Sequence, residues 1–152
     1  MNFSGRGFTL IELIITITIV GILTALAVPL TRNTIRREKE IALRQELRDM
    51  RTAIDKYKEA SDRGLIQIKL GTEGYPESLD VLVDGVQMAG AVDKKLKFLR
   101  RIPMDPMTNS EDWGLRSYQD DSDNQSWGRQ NVFDVYTKSD GTALDGTKYS
   151  DW

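Results

Sequence analysis

The chain contains neither histidine nor cysteine, so carboxylates and hydroxyls carry whatever chemistry it can do. A serine–histidine–aspartate triad is impossible, the usual general base is missing, and thiolate or imidazole metal sites and disulfides are excluded. Hard oxygen ligands remain, which leaves calcium or magnesium open. The acidic pair that stands out is in TKSDGTALDGTKYSDW, residues 137–152, where Asp140-Gly141 and Asp145-Gly146 are five residues apart. Calcium takes about six to eight oxygens from carboxylates and backbone carbonyls in flexible geometry, and such a loop can offer them. The spacing is not that of an EF-hand, and two exposed Asp-Gly turns account for it more simply. Asp120, Asp121 and Asp123 form a second cluster that reads as a solvated loop.

One carboxylate is out of place. Glu12 is the single charge in FTLIELIITITIVGILTALAVPL, residues 8–30. As a helix rising about 1.5 Å per residue, this run spans about 34 Å, enough for a bilayer core. A secretory signal peptide would have a shorter apolar region and a small-residue cleavage site at its far end. A plain membrane anchor explains the length but not Glu12, since a carboxylate at the centre of a membrane helix costs roughly 2.5–3.5 kcal/mol. Cleavage between Gly7 and Phe8 would free an α-amino group four residues from Glu12, and the amine of an adjacent copy would give the acid a buried partner. An interfacial glutamate reaching toward headgroups is the simpler alternative.

With these residues in view, Gly7-Phe8-Thr9-Leu10-Ile11-Glu12, a short leader with one cation at Arg6 and the apolar run together resemble the class III signal of type IV pilins and type II secretion pseudopilins. The resemblance implies that an inner-membrane prepilin peptidase cuts after Gly7 and methylates Phe8, and that Glu12 is the fifth mature residue. Gly21 and Pro29 match positions where such helices loosen in filaments. Proline removes a helical hydrogen bond and glycine lowers helix stability, although both occur in ordinary membrane helices. Arg32, Arg36, Arg37 and Lys39 come after the run, and a bare positive-inside count would put the C-terminal part of the chain in the cytoplasm. The resemblance implies the opposite, a cytoplasmic leader and a periplasmic head.

The elements that position these groups emerge from pattern. Twenty-one Lys+Arg against 23 Asp+Glu give a net charge of −2, with no electrostatic footprint for nucleic acid. Arg36, Arg37 and Lys39 interleave with Glu38 and Glu40, as on a solvated helix face. Leu43, Leu47, Met50, Ile54 and Tyr57 make one apolar stripe at helical spacing, with Glu40 and Arg44 as an i,i+4 pair on the exposed side. Anchor and stripe join into one helix of some fifty residues, ended by Arg63-Gly64. Short helices are expected at 77–84 and 94–101, and strands at 114–118 and 132–137, with a third short strand nearby. The expected organisation is a cleaved leader (1–7), a transmembrane and filament-core helix (8–30), its amphipathic continuation (31–62), and a head (63–152). The fold class is α+β, a long N-terminal helix packed on a small antiparallel sheet.

Further similarities reach into the head. Tyr75-Pro76, Leu99-Arg100-Arg101-Ile102-Pro103-Met104-Asp105-Pro106 and Ala53-Ile54-Asp55-Lys56-Tyr57 resemble pseudopilin segments, although the stretch between Gly64 and Tyr75 is longer than that pattern. After Asp134-Val135-Tyr136, the resemblance implies a calcium site on Asp140, Asp145 and the carbonyl of Thr137, with Asp151 in reserve; the Asp140–Asp145 spacing is shorter than the family's. The implied role is mechanical and non-enzymatic. The chain would be the major pseudopilin of a type II secretion system, a homopolymer held in the inner membrane and drawn into a periplasmic filament. Its partners would be the peptidase, other pseudopilins and the inner-membrane secretion platform. A type IV pilin for adhesion or motility is the related alternative, against which the lack of cysteine counts. A bitopic membrane enzyme would show an uncut N-terminus and no polymer.

Overall fold

The computed structural model describes residues 7–91, 94–121 and 126–152, the side chains of 26–32 excepted. Leader residues 1–6, Asp123 and the side chains of Pro29 and Arg32 thus lie outside the described residues. Two compact units divide the chain, Met1–Glu38 and Lys39–Trp152. Helix α1, Leu10–Asp62, contributes to both. It ends as expected at Arg63-Gly64. Gly64 takes φ 68°, and the amides of Gly64 and Leu65 donate to the carbonyls of Ser61 and Ala60, at 2.9 Å each. That pair of bonds is a Schellman stop, which glycine enters without steric cost.

In the first unit the large apolar residues of α1 between Leu10 and Leu23 lie on every side of the helix. Leu10, Ile11, Leu13, Ile14, Ile15, Ile17, Ile19, Val20, Ile22 and Leu23 are all exposed. The threonines interrupting this run hide their polarity on their own helix. The hydroxyls of Thr16, Thr18 and Thr24 donate to the carbonyls of Leu13, Ile14 and Val20 at 2.9, 2.7 and 2.8 Å, so they need no water. The helical backbone continues through Gly21 and Pro29. Among the described residues no helix is long and apolar enough to cross a membrane; the expected span extends to residue 30, past the last described side chain of the run.

The second unit is built on the stripe. Leu43, Leu47, Met50, Ile54 and Tyr57 are buried, and Leu79, Leu82, Trp113, Val132 and Val135 close over them in one core. A short helix α2, Leu79–Asp84, starts two residues later than expected. Strands β1 (Val86–Gln87) and β2 (Lys95–Leu96) pair antiparallel in one small sheet, and β3 (Gly114–Arg116) and β4 (Asp134–Tyr136) in another. The architecture is thus α+β, a long helix with a small antiparallel sheet pair. The strands expected at 114–118 and 132–137 are present but shorter.

The helix expected at 94–101 is not formed; β2 and an extended segment occupy the place. The amides of Phe98 and Leu99 both donate to the Leu82 carbonyl at 3.0 Å. That carbonyl belongs to the last turn of α2, where helical partners run out. Extended chain lets residues 98 and 99 reach it while Phe98 packs on Tyr57, ring centres 5.3 Å apart.

Candidate functional site

At the N-terminal site, Thr9 sets where the helix starts. Its hydroxyl oxygen accepts the amide N–H of Glu12 at 3.3 Å, and its carbonyl accepts that of Leu13 at 3.1 Å. This is one half of a capping box, in which a threonine and a glutamate three residues on satisfy the first free amides of a helix. Gly7 and Phe8 therefore precede the first turn and are exposed. The Gly7–Phe8 bond, where cleavage is expected, thus lies outside the helix among exposed residues. Glu12 is in the first turn, where the helix dipole favours a carboxylate. Its side chain is exposed and has no partner among the described residues. Unlike the three threonines, it carries polarity that its own helix does not satisfy.

The C-terminal loop is arranged differently from the expected ligand set. Asp140 and Thr137 line one small pocket with Tyr136, Lys138 and Ser150. Asp145 is not among the lining residues. Its Oδ1 accepts the amide and hydroxyl of Thr147 at 2.9 and 2.7 Å, and its Oδ2 faces Arg44 Nη2 at 3.3 Å. The Thr147 bonds, aided by Arg44, hold its carboxyl below the usual aspartate range. Thr137 is buried, and its hydroxyl donates to the buried Asp105, whose other oxygen accepts the Met107 amide at 2.7 Å. Lys138 at the pocket rim pairs with Asp112 at 2.6 Å. Among the described residues no three acidic side chains converge; the expected donors are two carboxylates, Asp140 and Asp145, with the Thr137 carbonyl.

Asp120 caps its own loop. Its Oδ2 accepts the amides of Ser117 and Gly128 at 2.7 and 3.0 Å, and these bonds, the Gly128 one foremost, pull its pKa down. Residues without a motif of their own have structural weight here. Arg51 donates to both oxygens of Asp134 (2.7 and 3.4 Å), to the Val135 carbonyl (3.0 Å) and to the Trp152 carbonyl (2.7 Å). Arg116 approaches Asp134 at 3.5 Å and stacks over Tyr136, 4.2 Å from the ring centre. The Thr9-x-x-Glu12 spacing would have revealed the cap. For Arg51 no local signal exists, because its partners are more than eighty residues away.

Comparison with known proteins points to the N-terminal site. Residues 3–28 match the family model described as the prokaryotic N-terminal methylation motif. Three curated relatives, each named Type IV major fimbrial protein FimA from Dichelobacter nodosus, are 48% identical over 50 residues. That alignment covers 33% of this chain and 32% of the relative in the first two cases, and 33% and 31% in the third. The chain thus matches about a third of the length of these relatives. No solved structure matches. The chain carries a prepilin-type methylation motif and is homologous, over that stretch, to a type IV pilin.

Proposed function

We propose that this chain is a pilin-type filament subunit, cut after Gly7, methylated on Phe8, and assembled through residues 8–30. The observation that carries the reading is the unpartnered Glu12 on a helix apolar all round, inside a matched methylation motif. A helix hydrophobic on every side belongs inside a membrane or a large core, and among the described residues the buried core begins only at Leu43. Before assembly the bilayer covers it, as a single-pass inner-membrane anchor; in the filament other copies do. There the freed amine of one copy neutralises Glu12 of another, and a buried charge with a partner is far less costly than one alone. No catalytic role is assigned to a chain without histidine or cysteine and with a mechanical task.

Within that reading the pseudopilus of type II secretion comes first, supported by the Tyr75-Pro76 turn, the segment around Pro103 and Pro106, and the strand Asp134–Tyr136. The pilus reading rests on a specific observation, the identity to fimbrial subunits. Mass analysis of the protein from its host tests the common premise. The mature chain is expected to lack residues 1–7 and to carry one extra methyl group; an intact start at Met1 removes the reading. Deleting the gene separates the two roles. A secretion defect with no loss of surface fibres marks the pseudopilus, and loss of fibres with normal secretion marks the pilus.

A further inference from the structure

The residues facing segment 140–152 give it a different fastening from the one its aspartates predict. Glu40, Arg44 and Arg51 on α1 are separated by 4 and 7 residues and so share one face of the helix. Glu40 Oε1 accepts both the Leu144 amide and the Tyr149 hydroxyl, at 2.9 Å each. Arg44 reaches Asp145 and stands over the Trp152 ring, 3.7 Å from its centre. Arg51 donates to the Trp152 carbonyl at 2.7 Å. The segment also closes on itself. Trp152 Nε1–H donates to Thr147 Oγ1 at 2.7 Å, the Tyr149 and Trp152 rings meet edge to face at 5.2 Å, and Thr142 bridges Lys148.

We propose that this polar face of α1 clamps segment 140–152 in place of a cation, so that the head folds independently of calcium. The reason is competition for oxygens. For Asp145 to ligate calcium it would have to release Thr147 and turn from Arg44, and a guanidinium this close opposes a divalent cation. Asp140 is the one carboxylate lining a pocket formed with Tyr136, Thr137, Lys138 and Ser150. Glu40 acts as an acceptor for two donors of the segment, which is the tie a bound ion would otherwise make. The clamp stands whether or not the chain assembles into fibres.

The test uses the full chain in detergent micelles. Thermal midpoints in millimolar calcium and in chelator are expected to agree within about 1 °C, since loss of even ~1 kcal/mol would move them by several degrees. Hydrogen exchange measured by mass spectrometry reads the clamp directly. Peptides covering residues 141–152 are expected to exchange about tenfold faster in the Glu40→Gln, Arg44→Gln double variant, through easier local opening. Glu40→Gln alone should give a smaller change of the same sign, and keeps the test available if the double variant fails to fold. Asp140→Asn should leave midpoint and exchange unchanged. A calcium-dependent rise in midpoint that Asp140→Asn removes would overturn the proposal, as would unaltered exchange in both Glu40 variants.

Discussion

Two stretches of α1 use the same aliphatic residues to opposite ends. Leu23 is 61% exposed, while Leu43, twenty positions on, is 0% exposed. Between 43 and 57 the large apolar residues keep to one stripe, and the chain's own later segments cover it. Between 10 and 23 they occupy every side, and among the described residues nothing covers them. A stripe is a request for one neighbour, whereas a helix apolar all round must be enclosed. On the proposed reading the difference separates residues that serve folding from residues that serve assembly, and it does so by pattern rather than by composition. Even the hydroxyls conform. The threonines at 16, 18 and 24 bond inward to their own helix, whereas the Glu12 carboxylate has no partner among the described residues.

The contrast can be broken most decisively at Glu12. Glu12→Ala is expected to abolish fibre growth while membrane insertion and the thermal midpoint of the head stay unchanged; normal fibres by electron microscopy would refute the assembly role. Next comes a matched pair. Leu47→Ala should cost about 2–5 kcal/mol, the usual range for emptying a buried leucine site, and lower the head midpoint accordingly. Leu23→Ala should leave that midpoint within about 0.5 kcal/mol, as exposed substitutions do, and act only on the fibre. Equal effects on the melt would erase the distinction between the stretches.

Inside the head, Gly114→Ala is expected to cost roughly 1–3 kcal/mol by overpacking, measured by denaturant unfolding. A Cβ at Gly114 would fall 2.3 Å from Cζ of Tyr136, its partner across the sheet, and that ring is also held by Arg116. Unaltered stability would mean the strand pair moves freely.

The smallest effect is acid dependence. Asp145 has its pKa lowered in the folded chain. Its contribution is therefore complete above the ordinary aspartate value of about 3.9 and fades only as pH falls through the lowered one. Asp145→Asn should lower stability at neutral pH only slightly, because the pair is half exposed and screened, and that difference from the parent chain should vanish as pH falls through the lowered value. A large loss at pH 7 would contradict that ranking.

Most of the fold is legible in local pattern. The stripe from Leu43 to Tyr57, the stop at Gly64 and the strands around Leu115 and Val135 each have a spacing or a turn residue that announces them. Residues 94–101 cannot be read this way. Their choice between helix and strand depends on Val86–Gln87 and on the Leu82 carbonyl, and no local periodicity carries that information. At the sites the same division holds. Glu12 stands out against its apolar neighbours, and its relation to Thr9 is also present in the sequence as a capping spacing. Asp140 and Asp145 look alike because each precedes a glycine. Arg44, 101 residues before Asp145, separates them, and Glu40 reaches Tyr149 across 109 residues. Those distances along the chain put the clamp beyond any motif.

The cap at Thr9 has a geometric consequence for a polymer. With the leader removed as proposed, Phe8 leads the helix by a single residue beyond the cap, about 3.5 Å of chain, while Glu12 is three helical residues inward, about 4.5 Å along the axis. Two copies joined by that amine and that acid must then be staggered lengthwise by on the order of 8 Å, adjusted by the swing of one glutamate side chain. The cap thus works as a ruler, and a fibre map showing a much larger stagger between joined copies would mean that the ruler is not the one in use.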